Sequence, residues 1–212
     1  MLRLLFSLSI LLLTTGCQAQ DSREKLQTSH HVGGPCEGCE AIHEYGDKIL
    51  SPVDTLPNFG KAGTDKIKVT GIVYQQDGKT PAEGVILYIY HTDETGIYPK
   101  KGDEHGWAKR HGYLRGWVMT GSDGRYTFYT LRPGTYPTRT EPAHIHATVK
   151  EPGKNEYYLD DYLFEGDPLL TQKVRTSRPM RGGSGIVTLK EKDGLLVAER
   201  DIVLGQNIPS YD

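Results

Sequence analysis

Hydrophobic and polar residues begin to alternate along the chain at Lys66, where Ile67 and Val69 open a strand pattern. A period of two residues is typical of strands that bury one face. Residues 85–90 are all apolar or aromatic and predict a central strand, and the pair Asp123-Gly124 predicts a turn. The first strand is predicted at residues 66–73, and four more follow at 126–130, 143–149, 186–189 and 195–204. No segment of ten or more residues has a helical period, so the pattern predicts an all-β fold, an antiparallel β-sandwich with an irregular N-terminal arm.

The first seventeen residues have the pattern of a secretory signal. Arg3 is positively charged, residues 4–13 are almost wholly apolar, and small residues lead to Cys17. Ten apolar residues are too few for a membrane-spanning helix, which needs about 20. The ending resembles a bacterial lipobox, although Thr14 stands where leucine is usual. We therefore expect a signal peptide at residues 1–16 and a lipid on Cys17, with an ordinary secreted protein or an uncleaved anchor as alternatives.

The rest of the chain divides into two predicted parts. Residues 17–64 are expected to form a tether and an extended arm, and residues 65–212 the β-sandwich domain. The signal predicts a protein held by its lipid in the periplasm or at the cell surface. A formal net charge of −2 argues against nucleic acid or an anionic membrane as a partner, so membrane contact is expected only through the lipid.

Two cysteines lie in the arm, Cys36 and Cys39. Outside the cytosol such a pair can persist as a disulfide, which would pin the arm locally. A metal site formed with His30, His31 or His43, a redox-active pair and two free thiols are the alternatives.

The sequence Pro-Ala-His-Ile-His at residues 142–146 is the strongest candidate for chemistry. Residues two apart on a strand point to the same face, so His144 and His146 present two imidazoles side by side, as metal ligands do, while Ile145 faces the core. Two half-exposed histidines on an edge strand are the alternative. Tyr98 and Tyr136 each lie beside glycine and proline, where a tyrosine often serves only as an aromatic plug at the end of a sandwich.

Taken together, these motifs resemble the intradiol ring-cleavage dioxygenases, the family of the catechol and protocatechuate dioxygenases. The resemblance covers residues 69–170. Its landmarks occur in family order: Gly-Ile-Tyr at 96–98, Ser-Asp-Gly-Arg-Tyr at 122–126, Gly-Thr-Tyr-Pro at 134–137, Pro-Ala-His-Ile-His at 142–146 and Phe-Glu-Gly-Asp-Pro at 164–168.

The resemblance implies a non-haem Fe(III) site with Tyr98, Tyr136, His144 and His146 as ligands. Phenolate oxygens suit a hard ferric ion, and neutral imidazoles complete the set. A catecholic substrate would chelate the iron while Tyr136 leaves the metal and takes up a substrate proton. Dioxygen would then cleave the ring between the two hydroxyl-bearing carbons, giving a muconate-type diacid.

One position departs from the family. Many members have arginine directly before the Pro-Ala-His-Ile-His motif, whereas this chain has Glu141. A carboxylate repels an anionic intermediate that a guanidinium would stabilise. Arg139, two residues earlier, is the candidate replacement, so both residues belong to the predicted catalytic set.

Two other interpretations remain open. Residues 120–136 also resemble prealbumin-like modules, which would make this a metal-free binding or structural domain. His144, His146 and Glu151 have the spacing of a two-histidine, one-carboxylate Fe(II) site of the cupin type. Near the expected pocket, a basic loop either attracts a carboxylated aromatic substrate or is ordinary surface; its residues are Lys109, Arg110, His111 and Arg115.

Overall fold

The computed structural model describes residues 31–212. The predicted signal peptide, lipid-bearing Cys17 and the tether up to residue 30 lie outside the described residues. Among the described residues there is no helix long and apolar enough to cross a membrane.

Within residues 31–212, two six-stranded sheets make up the fold. The strands are β1 Val53–Thr55, β2 Lys66–Tyr74, β3 Ile86–His91, β4 Arg115–Met119, β5 Arg125–Leu131, β6 His144–Lys150, β7 Tyr157–Tyr158, β8 Tyr162–Phe164, β9 Ile186–Val187, β10 Leu189–Lys192, β11 Leu195–Glu199 and β12 Ile202–Val203. The helical elements are a 3-10 helix at Cys39–His43 and the short helices α1 Ala108–His111 and α2 Gln172–Thr176.

The first sheet has the strand order β1-β5-β2-β11-β10, with β12 also paired to β2. The second has the order β4-β3-β6-β8-β9, with β7 also paired to β6. The all-β fold class is therefore confirmed. The sheets are mixed, however, because β1 runs parallel to β5, β11 and β12 run parallel to β2, and β9 runs parallel to β8.

The core lies between the two sheets and is built by alternate residues of their strands. Val69 on β2 and Phe128 on β5 meet Ile89 on β3 and Ile145 on β6, all essentially inaccessible to solvent. Ile145 thus packs inward, as its place between the two histidines predicts. Its neighbours on β6 consequently face the outer side of the second sheet.

That outer side is covered by the arm. Ala41 and Ile42 of the 3-10 helix pack against Tyr88 and Trp117 in a second apolar cluster. The indole nitrogen of Trp117 donates a hydrogen bond to the carbonyl of Ala41. The arm is therefore packed onto the sandwich, and it also supplies β1, which pairs with β5 within the first sheet.

Several strand boundaries differ from the sequence prediction. The stretch at 195–204 is two strands, β11 and β12, interrupted at Arg200, whose backbone N–H bonds to Thr70. The predicted strand at 186–189 is divided between β9 and β10. Strands β1, β7 and β8 are too short for a residue period to be visible in the sequence. Strand β4 was not predicted either; it lies next to the basic loop and contains Gly116.

Candidate metal centre

His144 and His146 lie on the outer face of the second sheet, at the start of β6. The antiparallel register with β3 places Tyr90 directly opposite His146. On the other side, β8 pairs His144 with Leu163 and Ile145 with Tyr162, so the next step of the register sets Asp161 beside His146. His146 is thereby flanked by a tyrosine and a carboxylate.

Two loops carry the tyrosines Tyr98 and Tyr136, and their backbones are joined. The N–H of Gly134 donates to the carbonyl of Asp93 at 2.8 Å, and the hydroxyl of Thr92 donates to the carbonyl of Gly134 at 2.8 Å. A Cβ on Gly96 would lie 1.9 Å from the carbonyl oxygen of Thr135, and the φ of Gly96 is +83°. Only glycine permits this approach, so it fixes the spacing of the two tyrosine loops.

The four predicted ligands are brought together. The hydroxyl oxygen of Tyr98 lies 2.6 Å from that of Tyr136 and 2.9 Å from Nε2 of His146. The Tyr136 oxygen lies 3.1 Å from Nε2 of His144 and 3.5 Å from Nε2 of His146. The two Nε2 atoms are 3.1 Å apart. Two phenol oxygens and two imidazole nitrogens therefore converge on one point.

The hydrogen bonds of the far ring nitrogens fix both imidazole tautomers. Nδ1 of His144 lies 2.7 Å from the carbonyl oxygen of Pro142, and Nδ1 of His146 lies 3.0 Å from Oδ1 of Asp161. Both partners are acceptors, so both Nδ1 atoms carry the hydrogen. Both Nε2 atoms consequently face the cluster with a lone pair.

This arrangement lacks the hydrogens to satisfy its contacts. The two phenols can each donate one hydrogen, but the contact between the Nε2 atoms sets lone pair against lone pair. A cation bound by all four atoms would remove this repulsion. Two oxygen donors able to become phenolates and two neutral imidazoles fit a hard trivalent ion such as Fe(III).

Burial controls the protonation of these groups. It lowers the pKa of His144, and the neighbouring His146 lowers it further, which keeps His144 neutral. Burial also raises the pKa of Tyr98 and of Tyr136, so both are phenols in the absence of a cation. Removal of a proton from each on metal binding is the usual coupling of metal affinity to pH.

Asp161 also lies at the cluster, although nothing in the sequence pattern predicts it. Burial alone would raise its pKa, but His146, hydrogen-bonded to it, and then His144 and Arg178 lower the pKa well below the usual range. His144, His146 and Asp161 are close enough to hold a metal ion together. Oδ1 of Asp161 accepts from Nδ1 of His146, however, which makes Asp161 the group that orients this imidazole.

Glu151, the carboxylate of the cupin-type alternative, is not at the histidines. Its two oxygens accept hydrogen bonds from the hydroxyls of Tyr157 and Tyr211. Glu151 fastens the C-terminal residues to the sandwich, and the spacing that suggested a third ligand has a structural origin.

Arg139 and Glu141 are both exposed. The backbone N–H of Arg139 bonds to the carbonyl of Tyr136, whereas no hydrogen bond or ion pair within residues 31–212 joins its guanidinium to the site. Glu141 lies close enough to Tyr136 for its charge to raise the pKa of that phenol, after burial. Of the two, only Glu141 has an electrostatic connection to the cluster in the described part of the chain.

Two adjoining hollows open beside the cluster. One, of about 220 Å³, is lined by Tyr98, Tyr136 and His146 and closed by Trp107, Arg110 and His111 of the α1 region. The other, of about 280 Å³, extends across Tyr90 and His146 to Asp161 and Tyr158. Glu37 lines both, and the disulfide loop of residues 36–39 forms a wall of the second.

The residues of the basic loop have different surroundings. Arg110 reaches the hollow, while Arg115 forms an ion pair with Glu44 at 2.6 Å. His111 is buried and stacks on Tyr90 with ring centroids 3.7 Å apart, and burial lowers its pKa to about 4. His111 is therefore a neutral wall residue at physiological pH.

In the structure Cys36 and Cys39 are joined as a disulfide, with Cα atoms 5.7 Å apart. This geometry favours the interpretation of the pair as a local disulfide that holds the arm. His43, a candidate partner in the alternative metal site, instead lies 3.1 Å from Glu156.

Little in the amino-acid pattern points to the remaining wall residues. Asp161 follows His146 by fifteen residues, and only the β6–β8 register reveals their proximity. Tyr90 is one of thirteen tyrosines and lies in an apolar run that reads as core. Glu37 was visible only as part of the cysteine loop.

Comparison with known proteins finds relatives of this chain. Residues 51–204 match the family model described as Dioxygenase. The chain is 32% identical over 137 residues to the protocatechuate 3,4-dioxygenase beta chain of Burkholderia cepacia, covering 59% of this chain and 58% of that protein. It is 31% identical over 170 residues to catechol 1,2-dioxygenase 1 of Acinetobacter lwoffii, covering 72% of this chain and 51% of that protein. The chain thus spans about half the length of these curated relatives.

Solved structures share the fold. The dioxygenase domain of a dioxygenase carbohydrate-binding protein fusion from Streptomyces sp. SirexAA-E matches with a TM-score of 0.53 and 24% identity, over 75% of this chain and 94% of that one. Catechol 1,2-dioxygenase from Acinetobacter sp. ADP1 matches with a TM-score of 0.54 and 16% identity, over 74% and 58%. The family match covers most of the chain and includes all four residues of the cluster. The chain belongs to the intradiol ring-cleavage dioxygenase family.

Proposed function

We propose that this protein binds non-haem Fe(III) through Tyr98, Tyr136, His144 and His146 and cleaves a catecholic ring with dioxygen to a muconate-type diacid. The observation that carries the proposal is the convergence of two phenol oxygens and two Nε2 lone pairs with too few hydrogens to satisfy one another. A metal-free structural module gives no reason for two lone pairs to face each other.

Ferric iron, when bound, supplies Lewis-acid and redox chemistry that makes an electron-rich ring reactive towards dioxygen. The chain supplies the position of the ring. Tyr90 and Trp107 offer aromatic surfaces on the walls of the hollow beside the cluster. Such walls favour a flat aromatic substrate and exclude bulk water from the reacting atoms.

Tyr136 is proposed as the residue that takes the first substrate proton at its hydroxyl oxygen. Its loop is exposed from Pro137 to Glu141, whereas His144 and His146 are held on a paired strand. The phenol side chain of Tyr136 can therefore turn away while the backbone before it stays fixed to the loop of Tyr98, and the histidines are not disturbed. Glu141, beside this loop, would set the charge near Tyr136.

The proposal is tested by oxygen uptake and product identification with iron-loaded protein and catechol. We expect consumption of dioxygen with formation of a ring-opened diacid, and loss of both in Tyr136→Phe. Tyr129→Phe, on the first sheet, is the matched control and should retain activity. Equal activity in Tyr136→Phe would remove Tyr136 from the mechanism, and no product from the wild-type protein would contradict the function.

We also propose that the protein works in the cell envelope, anchored by a lipid on Cys17. A disulfide between Cys36 and Cys39 is consistent with an oxidising compartment. Labelling with a radioactive fatty acid should mark the wild-type protein and spare Cys17→Ala, and equal labelling of both would contradict the anchor.

A further inference from the structure

Glu37 occupies an unusual place beside the metal centre. It lines the hollow next to Tyr98 and Tyr136 and also the hollow across Tyr90 and Asp161. It belongs to the arm, outside residues 51–204 that match the family model, so the family comparison assigns it no role.

The loop that carries Glu37 is held at both ends. The Cys36–Cys39 disulfide closes it, and Cys39, 3% exposed, begins the buried 3-10 helix. Gly38 has a φ of +87°, and a Cβ there would come within 2.8 Å of Nε2 of His111. The loop therefore rests directly on the helix α1, which holds the backbone of Glu37 beside the hollow.

Arg110 is the partner of Glu37. Its guanidinium forms an ion pair with the Glu37 carboxylate and lies over the ring of Trp107. Both charged side chains are substantially exposed, 63% for Arg110 and 70% for Glu37, so the pair is solvated and weak. The ion pair therefore contributes little to stability, and its relevance lies in how its two charges act on a molecule that enters the hollow.

At the hollow over the tyrosines, the remaining charges do not offset Glu37. Arg181 donates to the hydroxyl of Tyr158 at the other hollow. Asp161 is bound to His146 and lies 3.6 Å from Arg178, Arg115 is paired with Glu44, and Glu141 adds a negative charge near Tyr136. Arg110 is the one cation in the lining of the hollow over the tyrosines within the described chain, and Glu37 neutralises it.

We propose that Glu37 is a specificity-determining residue, which masks Arg110 and so disfavours catechols that carry an acidic ring substituent. A carboxylated ring entering the hollow meets the Glu37 carboxylate, and it finds the Arg110 guanidinium already paired. A neutral catechol meets neither obstacle. This inference rests on the proposed function, since it concerns the substrate of the same site.

The test compares dissociation constants for catechol and 3,4-dihydroxybenzoate, measured anaerobically by calorimetry on iron-loaded protein. The quantity of interest is the ratio of the two constants. We expect Glu37→Gln to shift this ratio about fivefold in favour of the carboxylated ring, the size of effect that one exposed ion pair allows. We expect Arg110→Gln to shift it in the opposite direction, because Glu37 is then left unpaired.

Glu40→Gln is the matched control. Glu40 is exposed on the 3-10 helix, three residues from Glu37, and does not line either hollow. The substitution makes the same change in net charge, so it reports any effect of overall charge. The ratio should remain at the wild-type value.

The outcomes separate this inference from the proposed function. If catechol binds and the ratio in Glu37→Gln equals that in Glu40→Gln, Glu37 does not determine specificity and the inference is wrong. If the wild-type protein binds neither ring, the proposed function itself fails. A shift in Glu37→Gln alone among the two acidic variants would support the inference.

Discussion

His146 shows how single residues prepare the metal centre. Asp161 holds its Nδ1 hydrogen, Tyr90 stacks on its ring with centroids 4.4 Å apart, and its Nε2 is left facing the two tyrosines. A carboxylate that accepts from the far nitrogen of a ligating histidine fixes both its tautomer and its direction.

Replacing Asp161 by asparagine should therefore weaken metal binding. The amide keeps one acceptor oxygen but loses the negative charge, and we expect iron affinity to fall by about 10- to 100-fold. Competition with a chelator of known affinity measures this. Glu199→Gln, which removes an exposed carboxylate on β11, is the control, and equal affinities in the two variants would show that Asp161 has no role in orienting His146.

Buried His91 makes a prediction about acid stability. Both of its nitrogens are hydrogen-bonded, to the carbonyl of Thr92 and the hydroxyl of Thr130, and burial lowers its pKa from 6.5 to about 4. As the pH falls, the imidazole of His91 is therefore protonated in the unfolded chain at a higher pH than in the folded protein. The free energy of unfolding should therefore decrease from about pH 6.5 towards pH 4, by up to about 3 kcal/mol from this residue.

Urea denaturation at a series of pH values measures this slope. His91→Gln, which cannot titrate, should flatten the slope between pH 6.5 and 4, while the same change at exposed His31 should leave it as in the wild-type protein. A wild-type slope in His91→Gln would mean that other groups cause the acid sensitivity.

At the level of elements, the centre depends on two loops and one strand meeting correctly. Strand β6 is fixed on both sides by pairing, and the tyrosine loops are fixed to each other through Gly96 and Gly134. The ligands are thus separated along the chain but share one rigid frame.

Gly96→Ala tests this frame. The added Cβ would meet the carbonyl of Thr135 and force the loops apart, and the positive φ adds strain, so we expect about 1–3 kcal/mol lower free energy of unfolding and weaker iron binding. Gly102→Ala is a close control, because Gly102 also has a positive φ, +103°, but no atom lies within 4 Å of its Cβ position. Equal iron binding in both variants would show that the loop contact is unimportant for the site.

The sequence predicted the elements with a clear period and failed where pairing alone decides. Val69, Phe128 and Ile145 mark their strands by alternation, and the two histidines follow from their spacing. The parallel pairing of β11 with β2 leaves no trace in the local pattern. Asp161 was missed for the same reason, since it joins the site through the register of β6 and β8.

At the scale of the whole molecule, the arm is part of the fold and of the active-site wall. Ile42 is fully buried against the second sheet, and the arm's Glu44 bonds to the N–H of Trp107 and to Arg115. The contacts of Ile42 and Glu44 therefore hold the segment that carries the disulfide, and they keep the wall of the hollow in place.

Ile42→Ala should release the arm. Truncation of a buried isoleucine typically costs about 2–5 kcal/mol, and here the loss would also expose residues 36–44 to proteases. Denaturation and limited proteolysis measure both effects. Ile49→Ala, at a site 98% exposed, should change neither, and an Ile42→Ala protein as stable and resistant as the wild type would mean that the arm is not held by this contact.

The most direct measurement of the central proposal is a visible spectrum with iron analysis, on protein lacking residues 1–17, before and after catechol is added without oxygen. Phenolate coordination to ferric iron gives a strong visible band, so we predict coloured protein with about one iron per chain and a band that shifts with catechol. Protein that remains colourless after reconstitution with iron would contradict the site formed by Tyr98, Tyr136, His144 and His146.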